Sequence, residues 1–112
     1  MAEQEPFKRI DVQEANRLRE QGVAIIDCRE ADEYATGHVV GAPLIPYMTV
    51  AQRAAAVEEV AGGKDQPLMF ICAKGQRSAV ACEFAAAVGF TDLYNVEGGT
   101  DAWIAANLPI EK

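Results

Sequence analysis

The chain has few of the residues that build metal sites and disulfide frameworks. Its 112 residues include one histidine and three cysteines, and no CxxC or HxxxH pair occurs. The cysteines, Cys28, Cys72 and Cys82, are odd in number and stand at unrelated spacings. We therefore expect no metal, no cofactor and no disulfide framework, and a reducing, cytoplasmic location.

Long apolar segments and net positive charge are also missing. The longest apolar stretch, Val39–Met48, contains two prolines, whereas a membrane helix needs about 20 apolar residues. The first residues, MAEQEPFKR, lack the apolar segment of a secretory signal. With 10 basic and 17 acidic residues the net charge is −7. Because this charge repels phosphate backbones and anionic lipids, we expect no nucleic-acid and no membrane partner, and an anionic substrate needs a local positive site.

Short apolar runs alternate with helix-like segments along the chain, and 50% of the residues are hydrophobic. This pattern predicts one α/β domain over residues 1–112 with a mainly parallel sheet. The predicted strands are Lys8–Ile10, Val23–Asp27, Pro67–Cys72 and Leu93–Val96. The predicted helices are Val12–Gln21 capped by Asp11, Glu30–Thr36, Thr49–Val60 capped by Thr49, Ser78–Val88 and Thr100–Ala106. Between them, Gly37–Tyr47 is predicted to be an ordered connection around one short strand.

Chemically rich segments follow two of the predicted strands. One is the turn Asp27-Cys28-Arg29, and the other is the segment Cys72–Ser78, which we call the cysteine loop. The carboxyl ends of parallel strands are where α/β proteins place their sites. We therefore expect the functional groups at this edge of the sheet.

The cysteine loop combines a thiol with groups that attract anions. Gly75 allows a tight turn that points successive amide N–H groups inward, and the helix that follows adds the positive end of its dipole. Lys74 and Arg77 add two charges. This environment favours the thiolate, so we expect the pKa of Cys72 to lie below the roughly 8.5 of a free cysteine. The loop thus predicts a nucleophile for an anionic electrophile.

The chain contains IIDCRE, the segment Glu33–Pro46, CAKGQRS and the segment Tyr94–Trp103, and these four motifs together resemble the rhodanese family of sulfurtransferases. CAKGQRS, which begins at Cys72, resembles the family's active-site loop, and IIDCRE resembles its strand-end D-x-R followed by an acid. Glu33–Pro46 resembles the signature E-[FY]-x-x-G-H-I-x-G-A-x-x-I-P, and Tyr94–Trp103 resembles the V-x-G-G-x-x-x-W ending. The resemblance covers about residues 7–110. It implies a rhodanese-like α/β fold in which helices flank both faces of a five-stranded, mostly parallel sheet.

The resemblance also implies a reaction and its residues. Cys72 would take a sulfane sulfur from thiosulfate or a similar small anionic donor, form a persulfide, and pass the sulfur to cyanide or a thiol. The backbone and side chains of the cysteine loop would bind the anion; after Cys72 they are Ala73, Lys74, Gly75, Gln76, Arg77 and Ser78. The chain departs from the family pattern at Ala73, where arginine is frequent, at Cys28, where valine is common, and at Glu97 before the double glycine.

Asp27 and Arg29 are predicted to support the site. We expect them to form an ion pair that fixes the loop, although Arg29 could instead join a positive rim and Asp27 could orient Arg77. Cys28 is expected to pack beneath the sheet edge, with resolution of a persulfide as the alternative.

Two other functions fit parts of the pattern. A related phosphatase or arsenate reductase also uses a cysteine and an arginine, but the resemblance gives that group a C-x5-R loop, whereas Cys72 and Arg77 here are spaced C-x4-R. A persulfide carrier or docking module would act only with a protein sulfur donor or acceptor. The sulfurtransferase hypothesis takes precedence because the cysteine and both loop cations are present.

Overall fold

A computed structural model describes residues 4–112 of the chain. The strands are β1 (Lys8–Ile10), β2 (Ala24–Asp27), β3 (His38–Val39), β4 (Leu68–Ile71), β5 (Leu93–Val96) and β6 (Ile110–Glu111). The helices are α1 (Val12–Glu20), α2 (Ala31–Ala35), α3 (Ala54–Ala61), α4 (Gln76–Ala87) and α5 (Gly99–Ala105), with a 3₁₀ helix at Tyr47–Thr49. Residues 1–3, part of the predicted domain span and of the amino-terminal segment, lie outside the described residues. Within the described part, no helix is long and apolar enough to cross a membrane.

The main sheet is parallel throughout, in the order β1-β5-β4-β2. This confirms the predicted α/β fold with a mostly parallel sheet. At the β2 edge a fifth position is filled by a single parallel bridge between Asp27 and Leu44. The Ile45 amide donates to the Asp27 carbonyl and the Asp27 amide to that of Pro43, each over 2.9 Å. The flanking prolines lack N–H donors, which limits this edge to a short contact.

Two local predictions needed correction. Thr49 does not cap a helix over Thr49–Val60: it ends the 3₁₀ turn, its hydroxyl donates to the Pro46 carbonyl over 2.7 Å, and α3 begins only at Ala54. The chain also forms an antiparallel pair, β3 with β6, whose second strand was not predicted. By contrast, the predicted Asp11 cap is confirmed, since its carboxylate accepts the Glu14 amide at 2.9 Å.

Side chains alternate between the two faces of the sheet. Along β4, Leu68 and Phe70 pack into one apolar cluster, whereas Met69 and Ile71 pack into the other. The first cluster includes Val57, Ala81, Cys82 and Ala85 of α3 and α4. The second includes Val12, Ala15 and Trp103 of α1 and α5. Helices therefore cover both faces, as predicted, and every β4 side chain is buried.

Candidate active site

The end of β4 fixes the position of Cys72. The strand is buried on both faces, and Cys72 follows it with 1% of its surface exposed. Gly75 then takes a left-handed conformation (φ 106°) and begins α4 as its N-cap. This turn brings the Gly75 amide back to the Cys72 Sγ, to which it donates over 3.1 Å. A side chain would be strained at this φ, so the predicted use of glycine for a tight turn is confirmed.

The start of α5 holds the other side of the cysteine loop. The Thr100 amide and hydroxyl donate to the Cys72 carbonyl over 2.8 and 3.0 Å, and the Asp101 amide donates to the Ala73 carbonyl over 3.0 Å. Gly99 allows this approach, because a Cβ there would lie 2.5 Å from both carbonyl oxygens. The loop carbonyls are thus bound to α5. In the sequence the double glycine is visible only as a family motif, and this contact was not predicted.

A polar network lies beneath the sulfur. The Ser78 hydroxyl lies between two acceptors, the Cys72 Sγ at 3.3 Å and the Asn95 side-chain carbonyl oxygen, and its one proton is shared between them. The Asn95 amide group donates to the Gly75 carbonyl over 3.1 Å and to the Glu97 carboxylate. Asn95 is fully buried on β5. Asn95 was not predicted as a site residue. Its polar side chain in a mostly apolar strand is the sequence feature that could have indicated it.

These contacts shift the pKa of the Cys72 thiol to about 4. The largest cause is the neighbouring Cys28 thiol; burial opposes the shift, and the Ser78 hydroxyl and the amides of Ser78 and Gly75 add to it. The donors nearest the sulfur are therefore neutral. The neighbouring Cys72 thiolate and then burial keep the pKa of Cys28 well above the usual range, and burial raises the pKa of Cys82. Cys72 is thus the thiol that is ionised near neutral pH.

Arg77 lies at the start of α4 and is paired with an acid. Its two terminal nitrogens donate to the two Glu33 carboxylate oxygens over 2.8 and 2.9 Å. Arg77 lowers the pKa of Glu33 to about 2, and Glu33 raises that of Arg77. The two residues are 44 positions apart, so no local sequence pattern indicated the pair. It nearly cancels the charge that we had assigned to anion binding.

The remaining loop residues lie toward solvent. Lys74 is exposed, with its Nζ 3.7 Å from the Asp101 carboxylate, which is also exposed. Gln76 is exposed and Ala73 is half-buried. The interaction between two exposed charges at this distance is weak, so Lys74 remains available to an approaching anion.

Asp27 and Arg29 form the predicted ion pair, buried at the end of β2. The Arg29 Nη2 lies 2.7 Å from Asp27 Oδ2 and 2.8 Å from the Gly37 carbonyl oxygen. The Arg29 backbone amide also donates to Asp27 over 3.0 Å. The alternatives in which Asp27 orients Arg77 and Arg29 joins a positive rim do not match these contacts. The pair instead fixes the turn beside the cysteine loop.

The chain is similar in sequence and fold to known proteins. The sequence model of the family Rhodanese-like domain matches residues 11–106. A protein from Pseudomonas fluorescens (strain SBW25) named thiosulfate sulfurtransferase GlpE is 34% identical over 97 residues, which span 87% of this chain and 84% of that protein. The crystal structure of a rhodanese-like domain protein from Staphylococcus aureus has a TM-score of 0.75 at 34% identity, covering 86% of this chain and 90% of that chain.

A third similarity concerns the phosphatase alternative. A Rhodopseudomonas palustris protein of unknown function, described as a possible tyrosine phosphatase, has a TM-score of 0.79 at 27% identity. The match covers 94% of this chain and 85% of that chain. The fold alone therefore does not separate the two reactions, and the separation depends on the cysteine loop.

Proposed function

The chain belongs to the rhodanese family, whose curated relatives here are thiosulfate sulfurtransferases, and we propose that it transfers a sulfane sulfur through a persulfide on Cys72. The observation that carries this proposal is the position of the Cys72 sulfur in the cysteine loop, with the Gly75 amide 3.1 Å away and the Ser78 hydroxyl 3.3 Å away, since these contacts favour the thiolate. A buried thiolate held by neutral donors keeps its nucleophilic electron pair. It needs no general base, because it is already deprotonated at neutral pH.

The reaction has two steps with a covalent intermediate. In the first, the Cys72 thiolate forms a bond to the outer sulfur of thiosulfate while the S–S bond of the donor breaks and sulfite leaves with the bonding electrons. In the second, cyanide or a thiol attacks the terminal sulfur of the persulfide, and the Cys72 thiolate leaves. A persulfide is itself anionic, so amides of the cysteine loop that stabilise the thiolate can also stabilise the intermediate.

Donor binding in this proposal depends on local groups, because the whole chain carries −7. The amides of the cysteine loop and the positive end of the α4 dipole supply a field that side-chain pairing does not cancel. Lys74 adds an exposed charge at the rim, whereas Arg77 contributes a charge mostly neutralised by Glu33. Cys72 is therefore the catalytic residue, and Ala73 to Ser78 form the anion-binding loop.

Phosphatase activity is the second candidate, favoured only by the R. palustris similarity. A phosphatase arginine must bind the phosphate oxygens, but both terminal nitrogens of Arg77 bind Glu33. Four residues, Ala73 to Gln76, separate Cys72 from Arg77. This is the C-x4-R spacing and not the longer C-x5-R spacing of the phosphatase group. Both features favour sulfur transfer.

The physiological setting is part of the proposal. The three cysteines are free and buried, which suits a reducing cytoplasm. The acceptor is a thiol or cyanide, and the sulfur donor or acceptor can also be a protein, in which case the chain serves as a persulfide carrier.

The test measures thiocyanate formation from thiosulfate and cyanide, beside hydrolysis of an aryl phosphate. We expect thiocyanate with the wild-type chain and with Cys82→Ser, none with Cys72→Ser, and no phosphate release. Phosphate release at a rate comparable to thiocyanate formation would reverse the choice, and full activity in Cys72→Ser would refute the role of Cys72.

A further inference from the structure

A second cysteine follows the neighbouring strand, β2, at the same level as Cys72. β2 and β4 pair in parallel with Asp27 opposite Ile71, and the Cys28 amide donates to the Ile71 carbonyl over 2.9 Å, so the pairing continues by one residue. This places Cys28 opposite Cys72 on the neighbouring chain segment. Neighbouring strands are about 4.8 Å apart, within the range of Cα separations, about 4.4–6.8 Å, that a disulfide bridges.

The two sulfurs also lie on the same face of the sheet. Cys28 and Cys72 both pack into the apolar cluster that contains Ile26 and Phe70, two positions earlier on each strand. The Gly75 amide and the Ser78 hydroxyl, which also contact the Cys72 sulfur, belong to the cysteine loop and not to β2. Strand pairing and the shared face of the sheet therefore bring the Cys28 and Cys72 side chains together.

Cys28 is a buried nucleophile that the two-step reaction does not use. Its thiol donates to the Ile71 carbonyl over 3.4 Å, and the interaction with the neighbouring Cys72 thiolate is the largest cause of its raised pKa. Persulfide formation changes this situation, because the Cys72 sulfur is then no longer a thiolate and the charge moves to the outer sulfur. The effect that most strongly keeps the proton on Cys28 is thereby removed when the persulfide forms.

We propose that Cys28 is a resolving cysteine, which attacks the Cys72 Sγ of the persulfide and releases its outer sulfur as hydrosulfide. This inference rests on the proposed persulfide. A bond forms between the Cys28 and Cys72 sulfurs, the bond from Cys72 to the outer sulfur breaks, and the proton of the Cys28 thiol leaves with the hydrosulfide. The outer sulfur gains two electrons, and the two cysteine sulfurs together lose two as they become a disulfide.

This reaction gives the protein a second activity, release of hydrosulfide from thiosulfate without an external sulfur acceptor. It stops after one turnover unless a dithiol or two monothiols reduce the Cys28–Cys72 disulfide, and the products are then the reduced protein and an oxidised thiol. Thiol supply would thus decide between persulfide transfer to an acceptor and accumulation of an inactive disulfide form.

The test is a single-turnover experiment in the absence of oxygen, reductant and cyanide. The full chain is incubated with excess thiosulfate, and sulfite, hydrosulfide and intact mass are measured. We expect the wild-type chain and Cys82→Ser to release one equivalent each of sulfite and hydrosulfide, to become two hydrogen atoms lighter, and to yield a Cys28–Cys72 cross-linked peptide. Because these variants lose the Cys28 thiol that favours the Cys72 thiolate, we expect Cys28→Ser and Cys28→Val to react more slowly, but at the end point to have released sulfite alone and to be one sulfur atom heavier.

The outcomes separate this inference from the proposed function. A wild-type chain that keeps the added sulfur and releases no hydrosulfide would overturn the role of Cys28 and leave the persulfide mechanism intact. A failure of both Cys28 variants and the wild-type chain to release sulfite would refute the persulfide mechanism itself. A wild-type chain that becomes cross-linked without thiosulfate would also overturn the inference, because the disulfide would then not arise from the persulfide.

Discussion

Two neighbouring strand ends at one edge of the sheet hold buried charges in different ways. At the end of β2 the Asp27 carboxylate binds the Arg29 guanidinium, so two full charges satisfy one another. Beyond β4 the Cys72 thiolate is held by a thiol, a hydroxyl and backbone amides, all neutral. The first arrangement leaves no group free to react and fixes the turn. The second stabilises a charge without consuming its nucleophilic electron pair.

The cations confirm this distinction. Arg29 binds Asp27 and Arg77 binds Glu33, each through two or more short contacts. The sequence had suggested that the positive charges of the cysteine loop activate Cys72. In the structure, the Cys72 pKa falls to about 4 mainly through neutral donors, and the cations mostly bind acids. Charge therefore stabilises the turn at the end of β2, whereas it makes the Cys72 sulfur reactive at the end of β4.

Loss of the nucleophile gives the largest expected effect. Cys72→Ser should reduce sulfur transfer to the uncatalysed background, because a serine hydroxyl is not ionised at neutral pH and does not form a persulfide. Thiocyanate formation measures the loss, and circular dichroism checks that the variant is folded. Cys82→Ser is the matched control, since that thiol lies buried on α4 with a raised pKa. Equal losses in the two variants would remove the distinction between the cysteines.

Loss of the β2 ion pair should act on stability. Asp27→Asn keeps the shape but leaves the Arg29 guanidinium buried without a counter-charge, which costs about 3–5 kcal/mol of unfolding free energy. Urea unfolding measures this change. The control is Lys74→Ala at an exposed pair, for which we expect almost no change. A change below about 1 kcal/mol for Asp27→Asn would mean that water replaces the pair, contrary to the comparison.

Removal of one neutral donor should change the thiolate by an intermediate amount. Ser78→Ala removes the hydroxyl that lies 3.3 Å from the Cys72 Sγ, so the pKa of Cys72 should rise by about one unit, equivalent to about 1.4 kcal/mol. The pH dependence of persulfide formation measures this shift. Ser78→Thr retains a hydroxyl and should shift the profile less. An unchanged profile in Ser78→Ala would assign the hydroxyl to Asn95 alone.

Release of Arg77 from its acid should give the smallest change. In the wild-type chain the Glu30 amide donates to Glu33 Oε1 over 3.0 Å, and Glu33→Gln retains an acceptor for this amide. The substitution removes the carboxylate charge, so more of the Arg77 charge is available to thiosulfate. We expect kcat/KM for thiosulfate to rise about two- to five-fold at low salt and the gain to diminish as salt shortens the Debye length to about 8 Å. Arg77→Gln should lower kcat/KM, since it leaves the Glu33 carboxylate to repel the anion. A decrease in both variants would mean that the pair acts as a unit.

Much of this arrangement follows from local sequence patterns. The Asp11 cap, the strand at Leu68–Ile71 and the tight turn at Gly75 each depend on residues close together in the chain, and all three were predicted. The pairing of Glu33 with Arg77 and the position of Asn95 beneath Ser78 depend on how distant elements meet, so no spacing rule indicated them. Pattern analysis thus identified the reactive loop, whereas the groups that set its charge required tertiary structure.

The ultraviolet titration of the Cys72 thiolate tests the central claim most directly. The Cys82→Ser chain, which keeps Cys28, is followed from about pH 3 to pH 9, with Cys72→Ser as the blank. Because the folded pKa lies below the unfolded value, the thiolate contributes to stability fully above roughly pH 8.5, and this contribution is lost as pH falls through about 4. We predict one thiolate signal with a midpoint near 4, absent in the blank. A midpoint at roughly 8.5 or above would contradict the claim that neutral donors at the end of β4 hold Cys72 ionised.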